Sequence, residues 1–244
     1  MRIANNVVLV TGANRGLGRA LVRCLLEKGA RRIYASARSD GPNADDSGGA
    51  VIPCRLDVAH TANVAAAARF AHDVNIVINN AGSMTRGGLL DAADAALRRD
   101  MDVNFFGCLS VVRAFAGVIE RNGGGAFVNI LSVSALASSP DAGAYSASKA
   151  AAHSMTQTIR AELAPRGIGV FGVYPGPVDT DMANGVAVRK ADPMDVARTV
   201  VECVERGEED IWPDELAKQV AAIWRRNPKI LERQFASLAE RSVG

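Results

Sequence analysis

The stretch Val7-Val-Leu-Val-Thr-Gly-Ala-Asn-Arg-Gly-Leu-Gly18 contains three local patterns in succession. Val7–Val10 is a short apolar run, which is typical of a buried parallel strand. Glycines follow at positions 12, 16 and 18, and apolar residues then recur at helical spacing until Gly29 closes the helix. A strand, a glycine turn and an amphipathic helix in this order predict the first unit of an α/β fold.

The same alternation continues along the chain. Further strands are predicted at 33–37, 51–53, 76–78, 126–131, 169–174 and 210–212, and further helices at about 61–71, 91–120, 145–163, 193–206 and 214–225. Residues 40–50 are rich in Gly, Asp, Asn and Pro, which predicts an exposed loop. We therefore predict a Rossmann-like, doubly wound α/β fold, with a mainly parallel sheet of about seven strands and helices on both faces. It forms a single domain over residues 1–244, with a substrate-side region at about 183–244.

The composition of the chain argues against several classes of protein. The chain has 244 residues, 48% hydrophobic and 22% charged, with a net charge of +2, so no strong attraction to nucleic acid or anionic lipid is expected. No apolar run approaches the ~20 residues of a membrane span, and no secretion signal is visible, so we expect a cytoplasmic protein. The four cysteines and three histidines are scattered, which predicts free thiols and no metal site.

The glycine segment suits a phosphate-rich ligand. Glycines let the backbone approach a phosphate closely, and the N-terminus of the following helix favours negative charge. The spacing is GxxxGxG rather than GxGxxG, and an ordinary strand-to-helix turn is the alternative. Its position after the first strand and before an amphipathic helix favours dinucleotide binding.

Tyr145 and Lys149 are four residues apart in a predicted helix, and Ser132 precedes the tyrosine by thirteen residues. Helical spacing places Tyr145 and Lys149 on one face. At ~4 Å and an effective dielectric of ~20, an ammonium favours a tyrosinate by about 4 kcal/mol, enough to lower its pKa by two to three units. This set predicts acid–base catalysis of hydride transfer to or from a carbonyl. A YxxxK pattern also arises by chance, and Ser134 is a rival for the role of Ser132.

Six motifs together resemble one known family. They are Thr11-Gly-Ala-Asn-Arg-Gly-Leu-Gly18, Asn79-Asn-Ala-Gly82, Asn104, Ser132, Tyr145-Ser-Ala-Ser-Lys149 and Pro175-Gly-Pro-Val-Asp-Thr180. In this order, over about residues 5–182, the chain resembles the short-chain dehydrogenase/reductase (SDR) family. It departs from the family at Leu131, where a serine is common.

The resemblance implies a catalytic set of four residues. Tyr145 would exchange the proton with the substrate oxygen, and Ser132 would orient that oxygen. Lys149 would lower the pKa of Tyr145 and hold the nicotinamide ribose. Asn104 would anchor a water that links Lys149 to solvent.

The resemblance also implies the cofactor-binding residues. They are Gly12, Asn14, Arg15, Gly16, Leu17, Gly18, Arg38, Asp57, Val58, Asn80, Ala81, Gly82, Tyr145, Lys149, Pro175, Gly176, Val178 and Thr180. Asn80 to Gly82 would flank the ribose through their backbone, whereas Asn79 is interpreted as structural. An alternative for Asp57 is capping of the helix near Thr61.

The cofactor is expected to be NADP(H), with NAD(H) as the second choice. Ala37 stands where a carboxylate would bind the ribose 2′-hydroxyl and repel a 2′-phosphate, so that carboxylate is absent. Arg38 follows directly, and an arginine at this point attracts the phosphate. Arg15 could reach the same phosphate. The alternative is that both arginines are ordinary surface charges.

The sequence identifies the substrate-binding residues less specifically than the cofactor-binding ones. Ser134, Leu136, Ala137, Met182 and Val186 are candidate pocket walls, which favours a small, mostly apolar carbonyl or alcohol. The stretch 178–192 is short for a lid, which indicates either a comparatively open pocket or one closed by another segment such as residues 212–224. The alternative for the two tryptophans of that segment is packing in the core or between subunits. By resemblance, the helices near 91–120 and 145–163 form a homodimer or homotetramer. The alternative functions are a catalytically silent dinucleotide-binding sensor or scaffold, and an epimerase or dehydratase.

Overall fold

The computed structural model describes residues 1–38, 49–186 and 188–240, and within them seven strands form one sheet. The strands are β1 Val7–Val10, β2 Arg32–Ala37, β3 Val51–Arg55, β4 Ile76–Asn79, β5 Gly125–Ile130, β6 Ile168–Val173 and β7 Asp210–Ile211. All neighbouring strands are parallel, in the order β3-β2-β1-β4-β5-β6-β7. The order reverses at β1, which confirms the predicted doubly wound sheet. The predicted loop at 40–50 lies almost wholly outside the described residues.

The helices follow the predicted pattern up to the C-terminus. They are α1 Gly16–Glu27, α2 Thr61–Phe70, α3 Asp94–Met101, α4 Cys108–Arg121, α5 Gly143–Leu163, α6 Pro193–Arg206, α7 Glu215–Arg226 and α8 Pro228–Glu240. A π-helical segment, Asp102–Gly107, joins α3 and α4 into one continuous helix. Such segments are rare and often occur at functional sites.

The expectation that the chain's last helix lies at 214–225 is wrong, because α8 follows it. Asn227 ends α7, and its side-chain oxygen accepts a hydrogen bond from the Lys229 amide at 3.1 Å. Pro228 occupies the first helical position, where its missing N–H costs nothing. Leu231 and Phe235, one turn apart, are both buried, so α8 is held by packing on one face.

Both faces of the sheet are covered, which explains the continuous apolar strands. In β1, Val8 and Val10 join a core cluster that includes residues of α1 and α6. Val7 and Leu9 point to the opposite face and join a cluster with residues of α2, α4 and α5. A strand buried on both sides has no polar face, as expected for a parallel sheet.

The C-terminal helices α7 and α8 form a further cluster beside the turn that follows β5. Trp212 stacks on Tyr174 with ring centroids 4.4 Å apart, and the Trp224 ring meets His153 edge-on at 6.3 Å. Both tryptophans pack against buried residues of this cluster, which includes Val133. Because the same cluster contains the candidate pocket walls Leu136 and Ala137, the tryptophans pack beside the predicted substrate side, and closure of the pocket by residues 212–224 stays a prediction.

Within the described part of the chain, the continuous helix Asp94–Arg121 is the one helix long and apolar enough to span a membrane, with a mean hydropathy of 1.5 over its best window. The sequence analysis expected no such stretch. In the fold, 44% of that window is buried. Val111, Phe115 and Ile119 have no exposed surface and lie in the core. A core helix meets the same length and hydropathy criteria, so these criteria alone do not indicate a span.

Candidate active site

The carboxyl ends of β1 and β4 are held together around Thr11. Its hydroxyl accepts hydrogen bonds from the backbone amides of Asn80 and Ala81, both at 2.9 Å. The Asn80 side chain donates to the carbonyls of Thr11 at 2.9 Å and Gly12 at 3.0 Å. The sequence analysis gave Asn80 only a backbone role. In the structure its side chain fixes the glycine loop, so the loop and the segment Asn79-Asn-Ala-Gly82 form one unit.

The glycines of the loop are required by close packing. Gly12 has a φ of +66°, and a Cβ on Gly18 would lie 2.1 Å from the Gly12 carbonyl oxygen. Gly16 has a φ of +52°, and its Cβ would lie 2.9 Å from the Thr180 methyl group. The turn therefore brings the start of α1 directly over the ends of β1 and β4.

The N-terminus of α1 is open to a ligand. Its N-cap residue, Arg15, makes no side-chain capping bond, and no acidic residue lies in the first turn. The backbone amides of a first helical turn have no partner within the helix, so they attract an anion such as a phosphate. Of the other predicted loop residues, Asn14 is exposed, whereas Leu17 is buried against the core.

The two arginines expected to read the cofactor are both exposed but differ in their partners. Arg15 forms an ion pair with Asp181 at 2.9 Å, and both side chains are 68% exposed. Arg38 follows β2 and forms no ion pair with the residues that the structure describes. Its neighbour Ala37 is buried at the end of that strand. Arg38 is therefore free to meet a ligand, whereas Arg15 would first leave Asp181.

The turn after β3 reaches the π-helical segment. Asp57 accepts a hydrogen bond from the Ala59 amide at 3.1 Å, and the N-cap of α2 is His60, which makes no capping bond. The capping alternative for Asp57 is therefore wrong. Val58 is buried, and a Cβ on Gly107 would lie 2.8 Å from its methyl group.

The segment after β6 is tied to α7 by a carboxylate. Asp214 accepts hydrogen bonds from the Gly176 amide at 2.8 Å and from the Ala217 amide at 2.9 Å, so it caps α7 and holds the loop together. In the same segment Pro175 accepts a bond from the Val133 amide at 3.1 Å, and Val178 is buried. Asp214 was not predicted as a site residue. An Asp just before a helical pattern is a usual N-cap signal that could have located it.

Tyr145 and Lys149 lie one turn apart on α5, as predicted. The Lys149 Nζ is 5.7 Å from the centre of the Tyr145 ring. It donates a hydrogen bond to the Ile130 carbonyl at 2.7 Å, at the end of β5. Ser132 follows two residues later and accepts a hydrogen bond from the Ser134 amide at 3.1 Å. The amide of Ser134, the rival of Ser132, thus holds the Ser132 hydroxyl.

Burial dominates the acid–base properties of this pair. It raises the pKa of Tyr145 to about 12, with the hydrogen bond to Ser132 lowering it and the charge of Asp100 raising it. Burial lowers the pKa of Lys149 to about 8, against the charges of Cys108 and Asp100, which raise it. The expected depression of the Tyr145 pKa by Lys149 is not found, because burial opposes the charged form of each group.

Asn104 connects the π-helical segment to α5. Its amide nitrogen donates to the Ser148 hydroxyl and to the Ser83 carbonyl, both at 2.8 Å. Its side-chain oxygen accepts from the Ser83 amide at 2.9 Å. A neighbouring bond at 2.9 Å from Asn79 to Asn129 joins β4 to β5, in agreement with the structural role predicted for Asn79.

The candidate pocket walls differ in accessibility. Ala137 is buried, Leu136 and Val186 are half-buried, and Met182 is 42% exposed. Ser134 is half-buried beside Ser132. The mixture of apolar walls with one pair of serines fits an apolar compound that carries one polar oxygen.

Comparison with known proteins agrees with this geometry. A family model described as short chain dehydrogenase matches residues 6–190. A 3-alpha-(or 20-beta)-hydroxysteroid dehydrogenase of Mycobacterium bovis is 30% identical over 220 residues, which cover 82% of this chain and 82% of that protein.

Solved structures are similar over most of the fold. A short chain dehydrogenase from Burkholderia cenocepacia, solved in complex with NADP, is 38% identical with a TM-score of 0.90, covering 96% of this chain and 99% of that one. A 7α-hydroxysteroid dehydrogenase, solved with NADH and 7-oxo glycochenodeoxycholic acid, is 26% identical with a TM-score of 0.75, covering 83% and 88%.

Proposed function

The chain belongs to the short-chain dehydrogenase/reductase family of oxidoreductases, and we propose that it transfers a hydride between NADP(H) and a carbonyl or secondary alcohol. The observation that carries this proposal is the convergence of Ser132, Tyr145 and Lys149 on the sheet edge where the glycine loop opens.

The residues support a simple proton path. Because its pKa is about 12, Tyr145 is protonated at neutral pH, so it can donate a proton to the oxygen of a carbonyl during reduction. Ser132 would hydrogen-bond the same oxygen. When bound, the nicotinamide supplies or accepts the hydride. Alcohol oxidation reverses the proton transfer, so it requires the Tyr145 anion and becomes faster as the pH rises.

Lys149 is suited to binding rather than to proton donation. Its pKa of about 8 leaves most of it as ammonium at neutral pH. It is buried beside the end of β5, where it could hold ribose hydroxyls close to Tyr145. Asn104 holds the neighbouring chain segment against α5 and would fix the position of both residues.

The residues present fit a nicotinamide dinucleotide. The uncapped start of α1 and the close-packed glycines suit a pyrophosphate. Arg15 and Arg38 suit a 2′-phosphate, and Ala37 offers no carboxylate to repel it. The B. cenocepacia structure with NADP favours the same choice. NAD(H) is the second cofactor, as the NADH complex of a related enzyme suggests.

The substrate class follows from the pocket walls and the relatives. Two of the similar proteins are hydroxysteroid dehydrogenases. Together with Leu136, Ala137 and Met182, this favours a small molecule with an apolar skeleton and one secondary alcohol or ketone.

Two further expectations stay predictions. A homodimer or homotetramer would use the faces of α4 and α5, and Phe106, 55% exposed on the adjoining π-helical segment, is an apolar side chain that such a contact would cover. The expected location is the cytoplasm.

The test is NADPH consumption with a panel of ketones and aldehydes, comparing the wild type, Tyr145→Phe and Tyr34→Phe. Tyr145→Phe should keep NADPH affinity but lower kcat/KM at least ~10²-fold, because the proton donor is lost. Tyr34 donates its hydroxyl to Asp73, and Tyr34→Phe is the matched control, which should remain active. If the wild type binds NADPH but no compound of the panel causes NADPH to be oxidised, the sensor or scaffold would be favoured instead. Full activity of Tyr145→Phe would contradict the proton-transfer role.

A further inference from the structure

The segment that follows β6, residues 180–184, contacts both parts of the chain to which the dinucleotide was assigned, and we call it the strap. The Thr180 methyl group lies 2.9 Å from where a Cβ on Gly16 would stand, at the start of α1. Further along, the end of the Met182 side chain lies 3.8 Å from where a Cβ on Gly82 would stand, in the turn after β4. The strap therefore packs against the glycine loop and against that turn.

The last residue of the strap is held by Arg86. The Arg86 guanidinium donates a hydrogen bond to the Asn184 carbonyl at 2.6 Å and forms an ion pair with Asp141 at 3.6 Å. Asp141 lies just before α5, the helix that carries Tyr145, and its carbonyl accepts a hydrogen bond from the Gly87 amide at 2.7 Å. Arg86 thus connects the strap to the chain segment that leads into the helix of the proposed proton donor.

Arg86 belongs to a segment that is itself fixed to the protein. Asn104 bonds the amide of Ser83 at 2.9 Å and its carbonyl at 2.8 Å. Asp100, which has no exposed surface, accepts hydrogen bonds from the Ser83 hydroxyl at 2.7 Å and from the Thr85 amide at 2.8 Å. Breaking bonds to buried polar groups is costly. The backbone before Arg86 should therefore stay in place when the strap moves.

The strap has a second fastening, which differs from Arg86 in what a ligand would do to it. Asp181 pairs with Arg15 at 2.9 Å, and Arg15 must leave this pair if it is to meet a phosphate. Arg86 keeps its partners, because neither the Asn184 carbonyl nor Asp141 is among the expected cofactor-binding residues. The Arg86 side chain is 40% exposed, and charged contacts in water are weak enough to open and reclose. Arg86 is therefore the fastening that stays when the cofactor binds.

We propose that Arg86 is a positioning residue that latches the strap against the glycine loop and the turn after β4, and thereby slows the release of a dinucleotide bound there. The proposal rests on the proposed function, because the molecule retained by the strap is the NADP(H) of that reaction.

Three variants separate the latch from a general loss of stability. Arg86→Ala removes both contacts of the guanidinium. Arg86→Lys keeps the positive charge, but a single ammonium cannot reproduce the planar fork that meets both partners, so it should restore the latch only in part. Arg198→Ala is the matched control, because Arg198 is 53% exposed and pairs with Asp195 at 3.1 Å on α6, away from the strap.

The first measurement needs no cofactor and is amide hydrogen exchange, followed by mass spectrometry, in the cofactor-free protein. The Ala183 and Asn184 amides bond within the strap, to the carbonyls of Thr180 and Asp181. Exchange in the strap should become about three- to tenfold faster in Arg86→Ala, because an exposed charged hydrogen bond is lost. The increase should be smaller in Arg86→Lys and absent in Arg198→Ala.

The sheet provides the internal reference for this experiment. Exchange in β4 and β5 should be the same in all variants, since a latch affects local opening only. Faster exchange in these strands as well would show that Arg86 supports the whole fold and would contradict a latch. Unchanged exchange in the strap of Arg86→Ala would overturn the proposal. If Arg86→Ala does not fold, Arg86→Met removes the same two contacts, keeps an apolar stem, and should give the same result.

The second measurement is the rate at which NADPH dissociates, followed by its fluorescence in a stopped-flow instrument after mixing with excess NADP+. The dissociation rate constant should rise about three- to tenfold in Arg86→Ala, less in Arg86→Lys, and not at all in Arg198→Ala. Failure of the wild type to bind NADPH would contradict the proposed function and, with it, the retained ligand. Normal binding by the wild type, with the same dissociation rate in Arg86→Ala, would contradict the latch alone.

Discussion

The two ends of the candidate active site hold their polar groups in opposite ways. We call Asn104, Asp100 and Lys149 the inner end, and Arg15 and Asp181 the outer end. At the inner end Asn104, Asp100 and Lys149 are buried, and each is held by short hydrogen bonds to neighbouring segments. At the outer end Arg15 and Asp181 are both 68% exposed, and they contact each other through an ion pair at 2.9 Å. The inner groups are fixed before any ligand arrives, whereas the outer charges can rearrange around one.

This difference sets the size of the effects to be expected. Leaving a buried polar group without its partner costs ~1–3 kcal/mol, whereas an exposed ion pair is worth ~0–1 kcal/mol. Substitutions at the inner end should therefore affect stability and turnover together. Substitutions at the outer end should change cofactor affinity with little effect on the fold.

The largest effect is expected for a substitution of Gly18, which packs against the Gly12 carbonyl and the Asn80 side chain. In Gly18→Ala the new methyl group would lie 2.1 Å from the Gly12 carbonyl and 2.6 Å from the Asn80 side chain, so the loop must move. We expect NADPH affinity to fall at least ~10²-fold and unfolding free energy to fall by ~1–3 kcal/mol, as overpacking usually costs. Fluorescence titration and urea denaturation measure the two effects.

The matched control is Gly117→Ala, in the middle of α4. Its new methyl group would meet only the end of the Arg121 side chain, at 3.4 Å. An alanine is favoured over glycine inside a helix by up to ~1 kcal/mol, so this variant should be equally or more stable. Unchanged NADPH affinity in Gly18→Ala would show that the loop does not bind the cofactor.

Asn104→Ala tests the inner end alone. The change leaves the Ser83 amide and carbonyl and the Ser148 hydroxyl without this partner. Unfolding free energy should fall by about 2–4 kcal/mol, since each buried group left unpaired costs ~1–3 kcal/mol. Asn63→Ala is the control, because the Asn63 side chain makes no hydrogen bond with the described residues. Equal stability of the two variants would refute the idea that Asn104 fixes this end.

The sequence predicted those parts of the molecule that depend on local pattern. Each predicted strand is found, because an apolar run bounded by turn residues has few other solutions in an α/β chain. Ser132, Tyr145 and Lys149 meet as predicted, since two lie on one helix face and the third ends a neighbouring strand. The glycine loop was also predicted from the sequence, because only glycine tolerates the close approach at Gly18.

Features that depend on distant partners were not predicted. Asp100 reads as an ordinary surface acid of a helix until Ser83 and Thr85 are seen to lie against it. The side chain of Asn80 gains its role only when β1 and β4 are adjacent. The pKa of Tyr145 was misjudged for the same reason, since a spacing of four shows the nearby ammonium but not how deeply the pair is buried.

The next largest effect concerns the choice of cofactor at the outer end. The double variant Ala37→Asp with Arg38→Ala adds a carboxylate at position 37 and removes the arginine at position 38. That arginine has no ion-pair partner among the described residues. Preference for NADPH over NADH, as the ratio of kcat/KM values, should fall by about 10- to 100-fold, because a hydrogen bond to a charged group is worth ~1.5–3 kcal/mol. Arg31→Ala, at an exposed position before β2, is the control. An unchanged ratio would exclude Arg38 as the phosphate-binding residue.

The smallest effect is expected for Asp181→Asn, which removes the partner of Arg15 but no buried contact. Within the described part of the chain Arg15 then has no ion pair to break before it meets a phosphate. NADPH should therefore bind up to about fivefold more tightly, within the ~0.2–1 kcal/mol of an exposed pair. The gain should shrink at high salt, where exposed charges are screened. Asp195→Asn is the matched control, because it removes a similarly exposed partner, that of Arg198, from α6. Weaker NADPH binding by Asp181→Asn would mean that Asp181 helps to hold the cofactor, and the outer end would then resemble the inner one.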